Sequence, residues 1–160
     1  MRILSGAVML TFVIGVACAK TGAATPAAAA AAAGAQAAAR VTVEQHEAAM
    51  KGIATNNGAM QKALKSNALP DAAKNAQELA RLFAEVERFW TQNNKPDAVK
   101  LAQTGVAGAT EVAGAAAAGD QMKAMAAAAN IGGTCKQCHG TYREGTPEAG
   151  YSIKAGTITP

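Results

Sequence analysis

From residue 41 onward the apolar residues recur at helical intervals. Val43, His46, Met50, Ile53, Asn57, Met60 and Leu64 follow one another in steps of three and four, the seam of a helix that keeps one face towards its neighbours in a bundle. Thr42 and Gln45 have the spacing of a capping box, and Leu69-Pro70 marks a stop, so a first helix is expected from about Val43 to Ser66. Gly52 and Gly58 weaken it from within. A second helix opens at Asp71 and carries Leu79, Leu82, Phe83, Val86, Phe89 and Trp90 as one broad stripe. The polar stretch from Thr91 to Lys95 reads as a loop, and Pro96-Asp97 suits a first helical turn. Val99, Leu101, Val106 and Val112 then carry a third helix towards Ala118, with small residues at its other inward positions. Gly119-Asp120 breaks it. Asp120 can cap a fourth helix, in which Met122, Met125, Ala129 and Ile131 lead towards Cys135.

Four helical patterns joined by short connections predict an all-α fold, an antiparallel up-down-up-down four-helix bundle over residues 41–146. Outside the leader no run alternates as a strand would. The one Ile/Thr-rich piece, Ser152 to Pro160, falls in a segment, 147–160, expected to be an irregular tail.

The N-terminus has a different character. Arg2 precedes an apolar run of about 17 residues ending in Ala17-Cys18-Ala19, and Lys20 follows; this is the layout of a secretory signal over 1–19, short for a membrane span. Export to the periplasm is expected. Processing at Cys18 to a lipidated N-terminus is the other outcome, and a membrane association is expected only there or if the leader stays uncleaved. Residues 20–40 are nearly all alanine, with no large apolar face to dock, and read as a tether.

Composition sharpens the problem of the interior. The 160 residues suffice for one domain, and a net charge of +4 with 16% charged residues is too mild to suggest nucleic acid. Half the residues are hydrophobic but only 4% aromatic, and roughly a quarter are alanine, which buries little area. Such a core lacks bulk. Three cysteines, unevenly spaced, do not make a disulfide framework.

The chemistry is concentrated in Cys135-Lys136-Gln137-Cys138-His139. Cys-x-x-Cys-His is the attachment pattern of haem c, in which two thiols add to the haem vinyl groups and the adjacent imidazole becomes an axial iron ligand. On a helix these three residues stand at i, i+3 and i+4, on one face. A dithiol redox motif would follow a strand, and none precedes this one. A structural disulfide between Cys135 and Cys138 would leave His139 without a role. A zinc site could use the three residues with His46.

Gly133 to Arg143, at the end of a fourth helix in an exported chain, resembles the cytochrome c prime family, the class II c-type cytochromes. The resemblance spans about Thr42 to Glu144 and includes Phe89-Trp90, Pro96-Asp97-Ala98-Val99 and Met50-Lys51 of the first helix. It implies one covalent haem c on Cys135 and Cys138, with His139 on the proximal side of the iron. In that family the iron is either five-coordinate or takes a methionine from the first helix. Met122 and Met125 lie on the same helix as His139, roughly 20 to 25 Å upstream at 1.5 Å per residue, too far to reach. In an antiparallel bundle Met50 falls at nearly the level of His139, whereas Met60 lies about 15 Å further along. Met50 is therefore the expected distal ligand. The resemblance also implies that His46, one turn before Met50, meets a propionate or solvent at the haem edge, and that Arg143 pairs with a propionate.

The expected function is a non-enzymatic, monohaem c-type cytochrome that carries single electrons between redox partner proteins, with pairing into a homodimer left open. A five-coordinate gas-binding protein and a haem-free metal-binding bundle are its rivals. Small residues of the fourth helix, Ala126, Ala129, Gly132 and Gly133, are expected to leave room for a flat ring or for close helix approach.

Overall fold

The computed structural model describes residues 40–158. The leader, Cys18 and the tether up to residue 39 lie outside the described residues. Four helices follow in order, α1 (Val43–Lys65), α2 (Leu69–Gln92), α3 (Pro96–Ala117) and α4 (Gln121–Tyr142), and then a hairpin of β1 (Arg143–Thr146) and β2 (Gly150–Ile153). The helices form the antiparallel four-helix bundle that the apolar pattern requires. None of the described helices is long and apolar enough to cross a membrane.

The boundaries follow from local chemistry. Thr42 Oγ1 accepts from the Gln45 backbone N–H at 3.2 Å, and the Gln45 side chain accepts from the Thr42 N–H at 2.8 Å, so the capping box of α1 closes in both directions. Asn67, at φ 55°, turns the chain out of α1, and the Ala68 N–H returns to the Ala63 carbonyl at 2.8 Å. Pro70 and Pro96 sit in the first turns of α2 and α3, where a missing N–H costs nothing. Asp120 accepts from the Lys123 N–H at 2.9 Å and starts α4.

The stripe expected on α2 is the core. Leu79, Leu82, Phe83, Val86, Phe89 and Trp90 are all buried. On α3 the emphasis shifts: of the aliphatic residues expected inward, Val112 is fully buried, while Val99, Leu101 and Val106 are half-buried on its flanks. Its innermost line is Ala98, Ala102, Gly105, Gly108, Ala109 and Ala113. Small residues are needed there because large ones approach from both sides. A Cβ on Gly105 would lie 2.6 Å from the Phe83 ring of α2, and one on Gly108 would lie 3.0 Å from Ile131 of α4.

Three expectations need correction. Met122 is 78% and Met125 43% exposed; Ala124, Ala127, Ala128, Ile131 and Thr134 form the inward face of α4 instead. Ala126, Ala129, Gly132 and Gly133 are exposed, and the close approach they were expected to permit is made by Gly105 and Gly108. The segment 147–160 is not wholly irregular, because Gly150–Ile153 pairs antiparallel with Arg143–Thr146. Gly145, at φ 99° and opposite Tyr151, makes that pairing feasible, since a Cβ there would sit 2.1 Å from the Gly150 oxygen.

The helices do not pack evenly. α2 lies against α1 and α3, and α3 against α4, whereas α1 and α4 meet only thinly. Gln121 Nε2 donates to the Leu64 carbonyl at 2.6 Å and joins them at one end of the bundle. At the other end they stand apart.

Two glycine substitutions test this packing in opposite directions. Gly105→Ala pushes a methyl group into the Phe83 ring and should destabilise the fold by about 1–3 kcal/mol. Gly58→Ala, on an exposed helix face with nothing within 4 Å of the new carbon, should stabilise by about 0.5–1 kcal/mol. Urea unfolding midpoints of the two variants should therefore move apart around the parent.

Candidate cofactor site

Where α1 and α4 separate, a cavity of about 640 Å³ opens, within the range of ligand pockets. Its lining includes all six residues singled out from the sequence: His46 and Met50 from α1, Cys135, Cys138 and His139 from α4, and Arg143 at the start of β1. Phe83, Val86 and Trp90 form the wall from α2, and Ala98, Leu101 and Ala102 the wall from α3. The surface is predominantly apolar.

Cys135, Cys138 and His139 occupy the final turns of α4 and share the face turned towards this space. Both cysteines are half-buried free thiols. Burial raises the Cys135 thiol, and burial together with the charges of Cys135 and Asp97 pushes Cys138 up to about 11. Both are uncharged at neutral pH. His139 is shifted down by burial and then by the Arg143 charge, which leaves its imidazole neutral with a lone pair to offer.

His46 departs from expectation. It is only 5% exposed, so it does not face solvent. Its ring stacks on Phe89 at 4.1 Å and 18° and meets Trp90 edge-on at 5.4 Å. Burial, and secondarily the nearby His139, bring its pKa down to about 4; the ring is neutral and aromatic in its packing. A helical seam position cannot distinguish this from a solvated histidine, because the stacking partners come from α2.

Among the described residues, three buried polar atoms have no hydrogen-bond partner: His46 Nδ1, Asn57 Oδ1 and Trp90 Nε1. All three residues line this cavity. Leaving such an atom unsatisfied costs on the order of 1–3 kcal/mol, so their gathering in one place points to a polar group that enters the space. Two thiols and an imidazole on one helix face, apolar walls and stranded polar atoms fit a haem c. Among the described residues no group of three or more His, Cys, Asp or Glu side chains is gathered to hold a bare metal ion.

The mouth is framed by contacts that the sequence did not reveal. The Tyr142 hydroxyl donates to the Asp97 carboxylate across the α3–α4 interface, and its ring lies 4.8 Å from Trp90. The Arg143 guanidinium stands 3.9 Å above the Tyr151 ring. Gly150, Tyr151, Ser152 and Ile153 of the hairpin also line the cavity. Gly145 and Gly150, flanking Thr146-Pro147-Glu148-Ala149, were the available signal for a turn between strands.

Burial, the hydrogen bond to Asp97 and the Asp97 charge push the Tyr142 phenol up to about 12, and the same bond lowers Asp97. The phenol's proton thus favours the folded state fully below pH 10, and that contribution is lost as pH rises through about 12. Asp97→Asn removes the charge but not the burial. The alkaline midpoint of Tyr142, followed by ultraviolet difference absorbance in a Tyr151→Phe background, should fall part of the way back to 10; an unmoved midpoint would assign the shift to burial alone.

The cytochrome c' family profile matches residues 84–143, from the second half of α2 to the end of α4. No curated protein and no solved structure matches the chain. The matched segment contains Cys135, Cys138, His139 and Arg143 together with Val86, Trp90 and the α3 wall, and with the four-helix bundle around that motif the match supports a likeness to the cytochrome c' family.

Proposed function

We propose that the protein is an exported monohaem c-type cytochrome that passes single electrons between partner proteins and turns over no substrate. The observation that carries this reading is the shared cavity, with the Cys135–Cys138–His139 face of α4 on one side and Met50 of α1 on another. A haem c bound there supplies a one-electron iron centre.

The chain's own residues define what that centre can do. Cys135 and Cys138 hold the group covalently through thioethers, and His139 offers its neutral imidazole to the iron. Met50 is half-buried, packs against the core and lines the cavity, and its thioether is the distal ligand. A His/Met pair raises the reduction potential and occupies both axial positions, which favours electron transfer over gas binding. The apolar walls from α2 and α3 keep water away, and His46 and Arg143 face the edge of the group. The leader over residues 1–19 directs the chain to the periplasm, and the mildly basic surface, at net +4 over the whole chain, suits acidic redox partners.

Absorption spectra of the purified protein, oxidised and reduced, test the reading. A low-spin spectrum that carbon monoxide leaves unchanged in the reduced state is expected. Met50→Leu should convert it to a high-spin form that binds carbon monoxide, with a lower reduction potential. Ready carbon monoxide binding by the parent would favour the five-coordinate gas-binding alternative. Mass spectrometry of the parent should show a covalent haem adduct, absent when Cys135 and Cys138 are both replaced by serine. A parent lacking the adduct would return the haem-free metal-binding alternative to consideration.

A further inference from the structure

The family match ends at Arg143, and the hairpin begins there. Its position is fixed by several contacts. The Lys154 backbone N–H donates to the Tyr142 carbonyl at 2.9 Å, Lys154 Nζ donates to the Gly140 carbonyl at 3.1 Å, and the Ala155 N–H donates to Glu144 Oε1 at 3.1 Å. Ile153 packs against the bundle core. The hairpin is therefore bound back onto the end of α4, beside His139.

Its register decides what it presents. Arg143 pairs with Ile153 and Gly145 with Tyr151, so Arg143, Tyr151 and Ile153 share one face of the two-stranded ribbon. All three line the cavity. Gly145 leaves the position opposite Tyr151 without a side chain, and Arg143 covers the ring from the diagonal position at 3.9 Å. Tyr151 is 47% exposed: one part of the ring meets water and the rest covers the cavity.

From this arrangement we infer that the hairpin is an added wall of the haem cavity, and that Tyr151, clamped by Arg143, is the positioning residue that shields the bound group from solvent and small solutes. The inference rests on the haem reading above. Solvent exposure is one of the determinants of a haem potential, and a less hydrated site disfavours the more positively charged ferric state. The wall therefore raises the potential and slows reaction with small reagents without touching the iron.

The holoprotein carrying Tyr151→Ala tests this, beside Tyr151→Phe, which keeps the ring. Two quantities are measured: the equilibrium reduction potential, and the second-order rate of oxidation by ferricyanide at high salt, where the charge of a released Arg143 is screened. Tyr151→Ala should lower the potential and raise the rate several-fold, while Tyr151→Phe stays with the parent on both. Gly145→Val, whose Cβ would collide with the Gly150 oxygen, should unseat β2 and shift both readouts as Tyr151→Ala does. If Tyr151→Ala and Gly145→Val match the parent on both readouts, or Tyr151→Phe moves as far as Tyr151→Ala, the inference is overturned. A parent protein without a haem spectrum instead refutes the reading beneath it, a result visible before any variant is made.

Discussion

The fold depends on how closely α3 can approach its two neighbours. Gly105 admits the Phe83 ring and Gly108 admits Ile131, so α2, α3 and α4 form a tightly joined set around small residues. α1 is held chiefly by α2, through the seam of His46, Ile53, Met60 and Leu64 against the α2 stripe. The closure from α1 to α4 is the remaining side of the bundle. It is secured at one end, where Gln121 reaches the Leu64 carbonyl, and opens at the other. The cavity is thus a consequence of unequal packing, and it lies where the family motif brings Cys135, Cys138 and His139.

This arrangement explains how an alanine-rich chain can sustain a domain. Small side chains in the α2–α3–α4 contacts allow close backbone approach, which recovers dispersion contacts that a sparse set of large residues could not supply alone. The aromatic residues gather at one end. Phe89, Trp90, Tyr142 and the stacked His46 form a continuous aromatic group beside the cavity, and these rings hold their positions by packing on one another. A bound haem adds a large apolar surface to that group and converts the site from a gap in the core into part of it.

Much of this was legible in the sequence because it follows from periodicity and local caps. The Thr42–Gln45 box, the two prolines and Asp120 set the helix starts, and the α2 stripe announced its buried face. The haem motif was legible because its spacing is itself chemical. Less was readable where partners come from elsewhere in the chain. Met122 and Met125 stand out along α4 by apolar character, but its inward face falls on Ala124, Ala127, Ala128 and Ile131, a choice made by the helices packed against it. His46 could be placed on the seam, but its stacking depends on Phe89 and Trp90, more than forty positions away in sequence. The hairpin escaped notice because its strands are four residues each and exposed, too short and too polar to alternate visibly; glycine at 145 and 150 was the only trace.

The polar atoms of the cavity complete the connection between stability and function. His46 Nδ1, Asn57 Oδ1 and Trp90 Nε1 gain nothing from the protein fold, and each is buried at a cost the bundle must offset elsewhere. Trp90 Nε1–H can only donate and Asn57 Oδ1 can only accept, so their partners must be an acceptor and a donor respectively, whereas neutral His46 Nδ1 can serve either way. A ligand that carries polar groups can meet these atoms, and a purely apolar one cannot. Whatever binds the folded form alone also stabilises it by mass action. The residues that make the chain a poorer apolar core thus leave polar atoms in the cavity that only a ligand with polar groups can meet.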